Sequence, residues 1–593
     1  METKNEKRFL KLTDMLNNLF AYFPKNRDRL WHLLLKKICA ILFLFSPIFL
    51  FGQIPSDTIN RNFVGQIEEQ MVCFTDRNLY LSGEEIWFSV IVLMYNNADE
   101  GGLSEVLFVE LFDRSTKVIA RAKYPLEGNR CSGSLQIPPE ALSQAAFLRF
   151  YTQYQRNQPA GEFALLPITI VNTELTLPMP DKNFSIYKNS DPGSPPIRIV
   201  ADKKSYSPRS KINLEINFPS GFEAYYCLSA ALNKTIKANL DHSSKSNKSQ
   251  RDSIFYLPDI RGVSLSGFVR KRQNLVSLSD VPVYLSAFGN NNLLHITQTQ
   301  ANGSFVFGLN KMENMANIFV SIDPGMNPDV EVLINNDFSN QFSPLPDQFF
   351  NIDTSYRDLL SDMLVNFESQ KNFGSSHQPP DHEILAVSNL PSTYDFSIRL
   401  DDFIDLGTLQ EVFYEIVAPV SVKTDQGEKY LSVANYQTQQ VARAGLVILD
   451  DAPIFDVEEL LKISPANIAS IDVINRPYYL GDYLVSSVVS LKTKTGDFGG
   501  YKFPPQSIFL EYQTLSKTRQ FMAPDFGSEK ARQSPLPDFR TTLFWSPLAE
   551  VNGVNTSLSF SASDATGKYD IVIWAVSKEG KIIQGITSMT VER

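Results

Sequence analysis

The sequence predicts a mainly β protein, built from tandem β-sandwiches and one small α+β domain. Three observations indicate this fold class. The chain has 593 residues, enough for about three to five domains at ~100–200 residues each. Its apolar residues occur in short β-branched and aromatic runs, which Gly, Asn and Pro separate at the spacing of sandwich strands. Phe (42) and Tyr (23) are abundant and charged residues make up only 20%, a composition typical of folded cores.

The composition also argues against several classes of function. The formal net charge is −10, whereas a nucleic-acid partner would require clustered Lys and Arg. Five His and four Cys leave little material for zinc or iron–sulfur sites. A thioester Cys-Gly-Glu-Gln, a His-Glu-x-x-His helix, a Gly-x-Ser-x-Gly elbow and a phosphate-binding loop are all absent from the sequence. We therefore expect no cofactor, no metal, no nucleic-acid partner and no enzymatic activity.

Residues 1–52 are predicted to be a signal peptide with a long basic n-region. Lys36 and Lys37 precede the apolar run 38–51, which ends before Gly52. A helix of that run would be about 21 Å long, short of the ~30 Å core of a bilayer. The alternative is an uncleaved membrane anchor. We expect an exported protein in the periplasm or at the periplasmic face of the outer membrane, with the cell surface as the alternative.

The first sandwich is predicted at 53–176. Its strands include Glu85–Leu93, Glu105–Phe112 and Ala146–Thr152, and Ile86 and Phe88 share one strand face at period two. The opening of the domain follows the pattern D-R-x-x-Y-x-x-G-E-x-v-x-f, matched by Asp76, Arg77, Tyr80, Gly83, Glu84, Ile86 and Phe88. This pattern resembles the start of a macroglobulin-like β-sandwich domain. The resemblance implies an Ig/macroglobulin-like fold.

A weak internal repeat predicts a second sandwich at 195–258. Asp202, Tyr206 and Ile212 match three residues of the first opening at a constant offset of 126 positions. The polar stretch 239–252 is expected to be a flexible insert in this sandwich.

A third sandwich is predicted at 260–336, where short strands surround the tight-turn signal Asn302-Gly303. Its pattern G-x-V … v-p-V-x-L … G-x-F-x-F resembles the carboxypeptidase regulatory-like sandwich common in Bacteroidetes envelope proteins. The following region, 337–400, is predicted to contain a helix and a linker. Its apolar residues Leu359, Leu360, Met363 and Leu364 are at helical spacing.

Region 401–500 is predicted to be the α+β domain, with a helix that begins at Asp456. It resembles the plug domain of TonB-dependent receptors, whose pattern is matched by Asp450, Pro453, Ile454, Ile468, Ile471, Val473, Gly481, Thr493, Lys494 and Gly496. Only 93 residues follow Gly500, whereas a receptor barrel of 22 strands needs more than ~200 residues. The plug-like domain therefore lacks a barrel in this sequence, which predicts a partner.

Two function hypotheses follow. In the first, the protein is a non-enzymatic scaffold or adaptor that binds an outer-membrane protein or β-barrel complex and associates with the membrane through that partner. The expected contact residues are Asp450, Asp451, Pro453, Ile454, Tyr478, Tyr479, Gly481 and Tyr483. In the second, a C-terminal sandwich at 501–593 sorts a surface-exposed or secreted protein through a gliding-type (type IX) secretion system. Thr58 and Ser253, each preceded by Asp and followed by Ile, are expected O-glycosylation sites.

Overall fold

The computed structural model describes residues 68–95, 103–158, 163–175, 196–236, 256–288, 293–309, 315–325, 329–342, 344–346, 350–373, 393–436, 438–480, 483–551 and 553–593. The predicted signal peptide, the insert at 239–252 and both predicted glycosylation sites, Thr58 and Ser253, lie outside these residues.

The described part of the chain is dominated by β-structure, which confirms the predicted fold class. The strands are β1 Glu68–Thr75, β2 Leu79–Leu81, β3 Glu85–Tyr95, β4 Val106–Asp113, β5 Val118–Pro125, β6 Arg130–Gln136, β7 Gln144–Tyr151, β8 Ala164–Val171, β9 Arg198–Ala201, β10 Ser205–Tyr206, β11 Lys211–Asn217, β12 Ala224–Leu232, β13 Ser264–Lys271, β14 Pro282–Phe288, β15 Leu293–Gln298, β16 Ser304–Gly308, β17 Met315–Ile322, β18 Val330–Ile334, β19 Phe396–Arg399, β20 Val420–Asp425, β21 Glu428–Asn435, β22 Gln440–Arg443, β23 Leu446–Leu449, β24 Ala452–Ile454, β25 Ile468–Ile474, β26 Tyr478–Leu480, β27 Tyr483–Val485, β28 Val488–Thr493, β29 Ile508–Gln513, β30 Thr542–Glu550, β31 Asn555–Ser561, β32 Gly567–Ser577 and β33 Ile582–Val591. The α-helices are α1 Arg357–Phe373, α2 Leu409–Glu415, α3 Val457–Leu460 and α4 Glu529–Arg532.

The first sandwich consists of β1–β8. One sheet has the order β1-β3-β6, and the other has the order β2-β8-β7-β4-β5. Ile86 and Phe88 on β3 are fully buried between the two sheets, as the period-two pattern predicts. The thiols of Cys73 and Cys131 lie in the same core as free, buried groups, and Cys227 of β12 is likewise free and buried.

A second sandwich has the same topology but is interrupted along the chain. Its sheets have the orders β9-β11-β31 and β10-β33-β32-β12-β30. When the strands of each sandwich are counted from one to eight, every strand occupies the same place in both. In both, the short second strand pairs in parallel with the eighth. Between the fourth and fifth strands the first sandwich has a short turn, whereas the interrupted sandwich has the whole stretch from Leu232 to Thr542.

The sequence predicts separate sandwiches at 195–258 and 501–593, and this division is wrong. Strands from both ranges share one core, in which Leu228 of β12 and Ile573 of β32 are directly paired and fully buried. The physical reason is that β12 pairs with β30 along one edge and with β32 along the other, so β9–β12 alone would leave both edges of β12 unpaired. The predicted C-terminal sorting sandwich is therefore the second half of a sandwich that begins at Arg198.

The third sandwich is nested inside that interruption and is itself interrupted. It has the sheets β16-β13-β18 and β15-β14-β17-β29, so β29 returns to it after the chain has left at Ile334. The predicted helix is α1, whose buried residues Leu360 and Met363 pack into the core of the interrupted sandwich. Three separate segments of the chain thus contribute to the interrupted sandwich and its core: β9–β12, α1 and β30–β33. The domains are therefore joined by packing as well as by the chain itself.

The α+β domain, residues 393–503, is inserted between β18 and β29. Its main sheet has the order β19-β25-β28-β23-β24, and a second sheet has the order β20-β21-β22. Helix α2 begins after Thr408, which forms a capping box with Glu411, and α3 begins after Asp456, whose side chain accepts a hydrogen bond from Glu459 N (3.0 Å). Both helices pack on the core between the two sheets. Among the described residues, the helices are all too short or too polar to cross a membrane.

Candidate docking surface of the α+β domain

The turn Asp450-Asp451 joins β23 to β24. Leu449 pairs directly with Ala452, so the turn has two residues, and their φ angles of 46° and 68° are those of a type I′ hairpin. The Asp450 carboxylate accepts hydrogen bonds from the Thr493 amide (2.7 Å), the Thr493 hydroxyl (2.6 Å) and the Phe498 amide (2.9 Å). Asp450 therefore holds the loop that follows β28 against the turn.

Asp451 joins the same turn to the third sandwich. Its carboxylate forms an ion pair with Lys492 of β28, and its main-chain oxygen accepts a hydrogen bond from the Ser286 hydroxyl of β14 (2.7 Å). Asp450 is only 7% exposed and Asp451 4%. Pro453 and Ile454 are buried as well. The four residues are buried for different reasons: β14 contacts Asp451, the loop after β28 contacts Asp450, and Ile454 lies in the core of the α+β domain itself. That they contact a partner stays a prediction, and in this structure their side chains are not exposed for it.

The contact between the α+β domain and the third sandwich is extensive. Four aromatic or polar pairs cross it: Tyr284–Phe455 (ring centroids 5.2 Å apart), Phe288–Phe498 (5.9 Å), Phe319–Phe503 (4.8 Å) and the Ser286–Asp451 hydrogen bond. Leu294 of β15 is buried among apolar residues of β23, β25 and β28. Burial raises the pKa of Tyr284 to about 12, as does its proximity to Tyr483 and Asp323. The α+β domain is thus fixed to the third sandwich.

The predicted aromatic segment forms the small hairpin β26–β27. Tyr478, Leu480, Tyr483 and Val485 pack together on its inner face, beside Leu294. Tyr479 and Leu484 pair on the outer face and are 68% and 51% exposed. Gly481 lies outside the described residues. Of the predicted contact residues that are described, Tyr479 is the one whose side chain is mostly exposed to solvent.

Further exposed apolar side chains of the α+β domain are not among the contact residues that the sequence predicts. They are Ile404 (81% exposed), Tyr414 (85%), Tyr436 (61%) and Val441 (65%). The exposure of Tyr414 can be predicted from the sequence, because Leu409, Val412 and Phe413 form the apolar side of α2. Tyr414 does not lie on that side. The exposure of Val441 is harder to predict from the sequence. The only indication is that its short strand has no second apolar residue on the same face.

Comparisons with known proteins identify no family: neither a family model nor a curated protein matches the sequence. Solved structures give distant likenesses. The α2-macroglobulin of E. coli in its native conformation is 9% identical with a TM-score of 0.22, over 88% of this chain and 40% of that chain. The α2-macroglobulin of Salmonella reacted with methylamine is 8% identical with a TM-score of 0.22, over 88% and 39%. A tetra-tandem repeat from the extending region of a large adhesion protein is 8% identical with a TM-score of 0.12, over 88% and 99%. The chain therefore spans about two fifths of the length of these α2-macroglobulins.

Proposed function

We propose that this protein is an exported, non-enzymatic scaffold that binds an outer-membrane protein through the exposed surface of its α+β domain. The observation that carries the proposal is that, among the described residues, the five most exposed large apolar side chains all lie on this domain. Tyr414, Ile404, Tyr479 and Val441 are each at least 65% exposed. Exposed Tyr side chains are typical of protein contact sites, because they bury a large area at a small cost in conformational entropy.

The other domains support this role as a frame. Sandwich domains that meet at buried junctions hold an inserted domain in a fixed orientation, and the first and interrupted sandwiches share one apolar cluster of this kind. The α+β domain is attached to the third sandwich by aromatic pairs, and the third sandwich is attached to the first by the ion pair between Lys123 and Asp337 (2.6 Å). A scaffold of this kind contributes position rather than chemistry to an assembly.

The resemblance to plug domains gives the class of partner. A domain that resembles a plug is consistent with docking on a separate outer-membrane β-barrel complex, with membrane association through that partner. Because the Asp450-Asp451 turn is buried, we place the contact at Tyr414 and Tyr479, whose side chains are exposed to solvent. Nucleic acid, metal and cofactors have no part in the proposal.

Affinity purification of the tagged protein from solubilised outer membranes tests the proposal. Tyr414→Glu and Tyr479→Glu place a charge on the α+β domain, and Leu142→Glu and Leu275→Glu are matched controls at exposed positions of the first and third sandwiches (60% and 58% exposed). We expect a β-barrel protein to co-purify with the unmodified chain and both controls and to be lost with the two α+β variants. Failure of any outer-membrane protein to co-purify, or equal loss with the controls, would contradict the proposal.

A further inference from the structure

Strand β22 forms an open edge of the α+β domain. It is the last strand of the sheet β20-β21-β22, and all four of its residues, Gln440 to Arg443, are exposed. Its pairing with β21 is regular over four residue pairs and contains no bulge. Edges of this kind offer unpaired main-chain groups to another strand.

The hydrogen-bond pattern shows which main-chain groups face outward. The Ala444 amide donates to the Leu431 oxygen (2.8 Å), and antiparallel pairs alternate between bonded and non-bonded. Ala442 therefore bonds inward to β21, whereas the amide and carbonyl groups of Val441 and Arg443 point away from the sheet. Two residues thus provide two donors and two acceptors along the open side of β22.

Two other sheet edges, those of β30 and β5, are protected. Strand β30 contains Pro547, which removes a main-chain donor. The outer side of β5 is met by the chain itself, where the Ser516 amide donates to the Lys123 oxygen (2.6 Å). Strand β22 has neither a Pro nor a covering segment among the described residues, and Val441 adds an apolar side chain that is 65% exposed.

Charge indicates what the edge binds. Lys423 and Arg443 lie on the same face of the sheet, on either side of Tyr430, and the Arg443 guanidinium lies over the Tyr430 ring (5.2 Å to its centroid). Within the described residues neither cation has an ion-pair partner. The acids of this hairpin, Asp425 and Glu428, lie beyond the end of β22, which pairs with Ser432 to Asn435. A second copy of β22 would bring no carboxylate to this edge, whereas an acidic strand would.

We infer that β22 binds an extended, acidic peptide segment of the partner by β-strand addition. The main-chain groups of Val441 and Arg443 would bond the added strand, and their side chains, two residues apart on one face, would meet its side chains. The segment carries an apolar residue opposite Val441 and Asp or Glu opposite Arg443. This inference rests on the proposed function, to which it adds the mode of recognition.

The test introduces a photo-crosslinking residue at Gln440 of the full-length protein in the source bacterium and maps the crosslinked peptide by mass spectrometry. Val441→Pro removes an outward-facing donor and the valine side chain of the proposed contact, but no hydrogen bond of the β21–β22 ladder. Arg443→Glu reverses the charge without touching the backbone. Lys423→Glu is the matched control on the same face, two strands away.

We expect the crosslink to map to a segment of an outer-membrane protein with an apolar and an acidic residue two apart, and its yield to fall about tenfold in Val441→Pro and Arg443→Glu. The yield should change less than about twofold in Lys423→Glu.

A crosslinked segment without an acidic residue, or a crosslinked peptide from a second copy of this chain, would overturn the inference. If the partner co-purifies with the unmodified chain but tolerates both β22 variants, the inference alone fails. If no partner is captured by either experiment, the proposed function fails as well.

Discussion

The first sandwich and the interrupted sandwich contain the same turn in two different surroundings. In the first, the Tyr80 hydroxyl donates to the Asp76 carboxylate (2.7 Å) and accepts from the Arg77 amide (3.1 Å). In the second, the Tyr206 hydroxyl donates to Asp202 (2.6 Å) and accepts from the Lys203 amide (3.0 Å). Each Asp also accepts from the main chain of the following long strand. The repeat detected at an offset of 126 residues is thus a repeat of hydrogen bonds.

The surroundings of the two turns differ. Asp76 is fully buried at the junction of the two sandwiches, where Thr542 Oγ1 donates to its carboxylate (2.6 Å) and Arg77 bridges it to Glu84. The second turn has Lys203 and Ser210 at the positions of Arg77 and Glu84, and Asp202 and Lys203 are exposed. One local motif is therefore a surface turn in one copy and the joint between domains in the other.

The largest expected loss of stability comes from removing the cation of the buried ion pairs. Arg77→Ala leaves Asp76 and Glu84 buried without their cation, which we expect to reduce the free energy of unfolding by about 3–5 kcal/mol. The equivalent substitution Lys203→Ala should change it by less than about 0.5 kcal/mol. Urea unfolding followed by tryptophan fluorescence measures both, because Trp87, Trp545 and Trp574 lie in these two sandwiches. Equal effects of the two substitutions would contradict the contrast between the turns.

The next effect is at the left-handed residue of each turn. Gly83 has a φ of 90°, and a Cβ there would lie 2.8 Å from Phe367 Cζ of α1. Gly83→Ala should therefore cost about 2–3 kcal/mol, from the left-handed backbone and the close contact together. The double variant Gly83→Ala/Phe367→Leu separates these causes in a double-mutant cycle. A purely additive result would show that α1 does not press on the turn.

Arg209 occupies the position equivalent to Gly83, with a φ of 59°. Its guanidinium donates to both carboxylate oxygens of Asp564 (2.7 and 2.6 Å) and to three main-chain oxygens between Arg532 and Leu536. Arg209→Gly keeps the left-handed backbone and removes these bonds, so we expect a loss of about 1–2 kcal/mol, less than the gross value of the bonds. Thermal melting of Arg209→Gly beside Lys203→Ala measures this loss. An unchanged melting temperature would contradict it.

The smallest effect is the pH dependence of this contact. Partial burial alone would raise the pKa of Asp564, but the hydrogen bonds and charge of Arg209 outweigh it and hold the pKa below its usual value. A carboxyl group with a lowered pKa in the folded state stabilises the fold above its ordinary pKa of ~3.9 and loses that contribution as the pH falls. The stability difference between the unmodified chain and Asp564→Asn should be constant near neutral pH and shrink below about pH 4. A difference that persists in acid would exclude the Arg209–Asp564 contact as its source.

Much of the β-sandwich architecture can be predicted from the sequence, and the wrong predictions have physical reasons. Period-two patterns such as Ile86 and Phe88 report burial directly, and the Asp456 cap predicts the start of α3. Sequence order does not report which edges need covering, so the pairing of β12 with β30 and β32 could not be predicted from local patterns. For the site, Tyr479 was predicted as a contact and is exposed. The burial of Asp450 and Asp451 could not be predicted, because it depends on Ser286 of β14 and on the loop after β28, neither of which is near the turn in sequence.

Photo-crosslinking in intact source cells tests most directly whether the α+β domain carries the docking surface. The crosslinking residue is placed at Tyr479 or Tyr414 and, for comparison, at Leu142 of the first sandwich, since all three positions are strongly exposed. We expect crosslinks to one outer-membrane protein from the two tyrosine positions and none from Leu142. Crosslinks from Leu142 to that protein, with none from Tyr479 or Tyr414, would contradict it.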